Sequence, residues 1–126
     1  VASRTADARA RILVALELGN VRSATTGKFA APCVLVEPGD PWSVPDSLHG
    51  RRLTRWKLTA IAGRTDSEAA IETLCELVDA TDAALLQVDG VQLPSWAQPF
   101  DALLAGVPYA ASVATVQLVT AEEGSP

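Results

Sequence analysis

The chain has a single histidine, two cysteines and fewer positive than negative side chains, and each shortage removes a class of function. Cys33 and Cys75 form no CxxC pair and have no second soft ligand beside them, so reduced, structural thiols are expected and a metal site is not. His49 is the only imidazole and lies in the plain loop sequence DSLHGRR. A nucleophilic site would need folding to bring it to Ser112 or Cys75, with a third group to orient it. Gly39, Gly50 and Gly63 are isolated, without the Gly-Lys-Ser/Thr run of a phosphate-cradling loop. The carboxylates mostly line one segment rather than form a close pair in unlike surroundings, as glycoside chemistry requires. No enzyme activity and no cofactor are expected. The formal net charge of -5 argues against free nucleic acid as a partner, because phosphate affinity is built from clustered Lys and Arg. No apolar run approaches the ~20 residues of a membrane-spanning helix, so no membrane partner is expected. Asp7 and Glu17 interrupt the apolar run near the start, and no small-residue cleavage pattern follows it, which argues against a signal peptide.

What remains is ordinary globular composition over 126 residues, the size of one domain spanning 1–126, with a tail from about residue 121 that lacks a period and is expected to fray. Residues 3–18 place Ala8, Ile12, Ala15 and Leu16 on one helical face, and Gly19-Asn20 supplies a stop. Residues 21–31 have neither period and read as a loop. Residues 33–37 (CVLVE) suit a short strand, which PGDPWSVPD should then break, its prolines at 38, 41 and 45 making an exposed turn around Trp42.

Residues 53–63 (LTRWKLTAIAG) alternate, with Trp56, Leu58, Ala60 and Ala62 opposite Arg55, Lys57 and Thr59. The basic cluster Arg51, Arg52, Arg55 and Lys57 therefore reads as the polar face of a strand rather than a phosphate site. Thr65 and Glu68 have capping-box spacing, predicting a helix start there. Its buried stripe is expected to be Ile71, Leu74, Val78, Thr81 and Leu85, and its solvated face acidic, with Glu68, Glu72, Glu76 and Asp79. Asp89-Gly90 marks a turn before a strand near 91–93 and an irregular excursion. The run 109–120 has two largely apolar alternate sets, which predicts a strand covered on both faces, the second cover coming from another subunit. The order helix, strand, strand, helix, strand, strand predicts an α+β fold, a mainly antiparallel sheet of about four strands with two helices on one face.

An amino-terminal helix, VLVEPGDPW, the strand from Arg52 through Thr54, Arg55 and Trp56 to Gly63, a helix of the SEAAIETLCELVDA type and a final YAAS-containing strand together resemble the tail terminator proteins of long-tailed bacteriophages, particularly those of actinobacteria. Eight arginines against two lysines, Lys28 and Lys57, suit a GC-rich coding sequence of that kind. The resemblance implies a virion protein of the tail and neck, assembled in the host cytoplasm. It implies a hexameric ring that caps the tail tube, ends its polymerisation and receives the head-side connector. The partners would then be further copies of itself, the tail tube protein and the connector, with genomic DNA a non-specific lumen contact at Arg51, Arg52, Arg55 or Lys57. The loops 21–31 and 37–52 would reach neighbours. Rings close through heterologous contacts, so the acidic helix face (Glu68, Glu72, Glu76) and the basic strand face are the expected opposite sides of one contact, with Asp40 and Trp42 on the loop. Two other readings fit the same residues: another neck, connector or head-closure ring protein, and a cellular ligand- or peptide-binding domain in which Trp42, Trp56 and Trp96 line a pocket.

Overall fold

The computed structural model describes residues 4–24, 30–46, 51–65 and 68–120. The expectations for His49, for 25–29 and 47–50 of the two loops, and for the tail from residue 121 lie outside them. The elements are α1 (Arg4–Leu18), β1 (Ser23–Ala24), β2 (Cys33–Asp46), β3 (Arg51–Arg64), α2 (Ala70–Leu85), β4 (Val91–Gln92), β5 (Phe100–Leu104) and β6 (Val107–Thr120).

Helix α1 ends as its sequence dictates. Asn20 takes a left-handed φ of 60°, its N–H bonds the Glu17 carbonyl at 3.0 Å, and the Val21 N–H reaches back to Leu16 at 2.8 Å. This pair of bonds satisfies carbonyls that a helix end leaves open, and Val21 and Leu16 are both buried beneath it. The face formed by Ala8, Ile12, Ala15 and Leu16 is buried, as the spacing predicts.

The sheet differs from the expected one. Six strands run in the order β1-β2-β3-β6-β4, with β5 also paired to β6, and the sheet is mixed because β1 lies parallel to β2. It curls into a half-barrel. Three local features account for the difference. Residues 23–24 of the expected loop form β1. The excursion before β6 contains β5, which joins β6 through Ala105 (φ 52°) and Gly106 (φ 80°), a two-residue hairpin turn with both central residues left-handed. The proline-rich stretch does not end β2, which stays paired with β3 to Asp46. A proline that cannot donate is tolerated on an edge strand, and β1 covers β2 only at Val34 and Leu35. The irregularity is instead absorbed by a bulge: Pro38 lies opposite Trp56 and Ser43 opposite Thr54, which leaves residues 39–42 facing Arg55 alone.

The larger core lies between one sheet face and both helices. Val34, Val36, Trp56, Leu58, Ala60, Val116 and Leu118 meet Ile12 and Leu16 of α1 and Leu74, Leu77 and Leu85 of α2. A smaller cluster of Cys33, Leu35, Ile61 and Ala111 lies on the other face, with Ala102, Leu104 and Tyr109 packed against it. Strand β6 is therefore not covered alike on its two faces. Ala110, Ser112, Ala114, Val116, Leu118 and Thr120 are buried, whereas on the alternate set only Ala111 is, and Thr115 is exposed. The β5 hairpin reaches only one end of that face, opposite residues 107–111.

Helix α2 also starts later than its capping-box spacing predicts. Its N-cap is Ala69, without a side-chain cap bond. Thr65 is held by the sheet instead, its N–H bonding the Pro108 carbonyl at 3.2 Å. The buried stripe is Ala70, Leu74, Leu77, Thr81, Ala84 and Leu85; Val78 is half-buried, and Ile71 is 55% exposed rather than inside. The face is turned so that Ala84 meets the end of α1, where a Cβ on Gly19 would come within 2.9 Å of the Ala84 Cβ.

Candidate functional site

Four of the sequence-predicted residues gather around the bulge in β2. Gly39 passes so close to β3 that an added Cβ would lie 3.0 Å from the Arg55 carbonyl group. Asp40 is exposed at the outside of the bulge. Trp42 folds back edge-on against Trp56, with ring centroids 5.7 Å apart at 88°, the geometry in which a positive ring edge meets a negative face. It still leaves 45% of its surface open. Trp42 is thus an anchored but partly uncovered aromatic, on a strand where an exposed turn is expected.

Trp56 itself is closed off. Its indole Nε1 donates to Thr54 Oγ1 at 3.1 Å, and that hydroxyl donates to the Leu118 carbonyl at 3.2 Å, so the ring is fixed across the β3–β6 ladder. Ser43, the first residue after the bulge, ties the site to α1. Its Oγ lies 3.2 Å from Thr5 Oγ1 and accepts from Arg52 Nη1 at 3.1 Å.

The basic cluster is split by strand alternation. Arg52 shares the parity of Thr54 and Trp56 and turns toward the helix side, where it meets Ser43. Arg55 and Lys57 lie on the opposite face, in register with Gln117 and Thr115, and Glu37 stands in register with Lys57. The backbone of Arg51 pairs with Asp46. Glu68, Glu72, Glu76 and Asp79 are all exposed on or beside α2, on the other side of the sheet from Arg55 and Lys57.

The chemical alternatives find less support. The Ser112 hydroxyl donates to the Ala97 carbonyl at 2.6 Å. Trp96 packs against the main core and donates its indole N–H to Asp82 on α2 at 2.9 Å, whereas Trp42 packs edge-on against Trp56 at the β2 bulge. Both cysteines are free thiols. Cys33 is buried, and desolvation pushes its thiol above the usual range against the opposing pull of Arg22 and a backbone hydrogen bond from Ala30, whereas Cys75 is exposed on α2. Among the described residues no cluster of His, Cys, Asp and Glu is placed to hold a metal ion, and no helix is long and apolar enough to cross a membrane.

A second surface escaped sequence reasoning. Val14 is 54% exposed and Leu18 80%, one turn apart on α1, and they border shallow grooves whose other walls are Ala80, Ala83 and Ala84 of α2 and, just beyond that helix, Gln87, Val88 and Asp89. The signal was present in the sequence: Ala10, Val14 and Leu18 recur every four residues beside the buried stripe and continue the apolar surface past it. The chain matches no protein-family model, and no curated protein matches it.

Proposed function

We propose that the protein is a structural virion component, a tail terminator that forms a ring, hexameric by the resemblance, on the end of a phage tail tube and receives the head-side connector. It acts by binding, without a reaction. The observation that carries the reading is the separation of charge across the subunit. Exposed carboxylates of Glu68, Glu72, Glu76 and Asp79 lie on the helix side, and Arg55 and Lys57 on the far face of the sheet. A subunit with unlike patches on opposite sides can contact an identical neighbour head to tail, and such a contact closes into a ring when the rotation allows. A single self-complementary patch would give a two-fold dimer instead. Arg55 and Lys57, if they line the lumen, would touch passing DNA only through non-specific phosphate contacts.

Electron microscopy of the purified chain with tail tubes tests this directly. Rings seated at one tube end are expected, and reversing Glu72→Lys and Glu76→Lys together should abolish them while leaving the subunit folded. A chain that ignores tube ends, or a charge-reversed variant that caps them normally, overturns the reading.

A further inference from the structure

The stretch between β4 and β5 is too long for the edge it lies along. Gln92 stands opposite Gln117 and Phe100 opposite Ala111, so seven residues (93–99) run past five of β6 (112–116). The excess cannot pair, and Pro94 and Pro99 have no N–H to give. The segment therefore arches away from β6 and returns, with Leu93, Pro94 and Ser95 on one wall of a groove whose other wall includes Val113 and Thr115.

Three hydrogen bonds hold the arch down, and they centre on Trp96 and Ala97. Among the described residues one backbone bond ties it to β6, from the Ala97 N–H to the Val113 carbonyl at 2.9 Å. The Ser112 hydroxyl donates to the Ala97 carbonyl at 2.6 Å. Trp96 packs against the main core and donates its indole N–H to Asp82 on α2 at 2.9 Å. Little else secures the segment, since Leu93, Ser95, Ala97, Gln98 and Pro99 are all exposed. A stretch held by one half-buried ring and a few bonds belongs to the low-stability end of a fold.

The strand beneath it is held independently. On its inner side β6 pairs with β3 from Tyr109 to Thr120, so it keeps its place when the arch moves. The Val113 carbonyl receives Ala97 and therefore faces away from β3, and in an antiparallel strand alternate residues turn their N–H and C=O to the same side. Thr115 thus presents its N–H and C=O to the arch, between Val113 and the paired Gln117.

We propose that residues 93–99 are a latched strap, which lifts from the outer edge of β6 while the β3–β6 ladder stays closed, and that the Trp96–Asp82 and Ser112–Ala97 bonds are its latches. Lifting bares the N–H and C=O of Val113 and Thr115 in the middle of that edge. The strap is a property of one subunit and does not rest on the ring reading.

Native-state hydrogen exchange of the full chain, read amide by amide by NMR in low concentrations of urea, tests it. The Ala97 amide is expected to exchange through an opening that urea scarcely changes, roughly tenfold or more faster than the amides of the β3–β6 ladder, whose exchange urea accelerates steeply. Trp96→Phe keeps a ring against the core and removes the donor, and Ser112→Ala removes the other latch; each should speed Ala97 exchange by about two- to tenfold. Asp82→Ala should act like Trp96→Phe, and the two together should speed exchange no further than the stronger of them alone. An Ala97 amide that shares the urea dependence of the ladder opens only with the whole fold and overturns the strap. A flat urea dependence that none of these variants alters overturns the latches, as does a double variant in which the two effects simply add.

Discussion

Thr54 holds the largest fully buried side chain of the protein through one hydroxyl, which accepts from Trp56 and donates to Leu118. Thr54→Val keeps the shape and removes both bonds, leaving the indole N–H buried without an acceptor; a loss of about 1–3 kcal/mol is expected in urea denaturation. Trp56→Phe made in that background should cost less than it does alone, because the orphaned donor disappears with it. Gly90 has a φ of +80°, and a Cβ there would lie 2.6 Å from the Val119 carbonyl oxygen. Gly90→Ala must therefore displace the backbone of β4 or β6, and its melting temperature should fall clearly below that of the natural chain. Burial raises the Cys33 thiol above the usual thiol range, so the folded chain holds that proton more tightly than the unfolded one. The associated stability is complete below the unfolded pKa and is lost as pH rises through the folded pKa. Urea midpoints should therefore fall on the alkaline side of pH 9, and less in a Cys33→Ala variant.

Helix α1 was legible because its information is local: the apolar spacing, the Gly19-Asn20 stop and the absence of proline agree, and nothing distant overrides them. Strand β3 was legible for the same reason, its alternation matching the buried set Trp56, Leu58, Ala60 and Ala62. Strand β2 was not, because whether a proline breaks a strand depends on which edge its missing N–H faces, and that depends on the neighbours rather than on the proline. The start of α2 was not legible for a similar reason. Thr65 and Glu68 have the right spacing, but the Pro108 carbonyl takes the Thr65 N–H. Thr65→Ala should accordingly change stability by no more than about 0.5 kcal/mol in chemical denaturation, whereas loss of a working cap costs about 1 kcal/mol. For the candidate site, composition pointed to Trp42 but not to its support from Trp56, and it grouped Arg52 with Arg55 although alternation sends them to opposite faces. The α1–α2 groove was not legible because the buried stripe alone accounts for the helical period of α1, and the exposed Val14 and Leu18 lie beside it.

The two rims of the curled sheet are defended unequally. Strand β2 carries prolines and a bulge on its outer side, which blunt any further pairing, whereas β5 presents Phe100–Leu104 with Leu103 71% exposed and pairs only with β6. Leu103→Lys should reduce light scattering on prolonged storage and leave the melting temperature within error, since the side chain touches little. Strand β6 binds β3 along one edge and β4 and β5 along the other, and its Val116 and Leu118 lie in the main core. It is also synthesised after every strand it joins: β3 ends at Arg64 and β6 begins at Val107. At roughly 5–20 residues per second, some seconds of translation separate the two. Throughout that interval the β2–β3 hairpin on the ribosome has Trp56 and Leu58 without their cross-strand partners Val116 and Ala114, and β3 has a vacant edge. A nascent chain in this state is open to capture by other chains and by chaperones, and the pairing that ends its exposure must wait for β6 to be made.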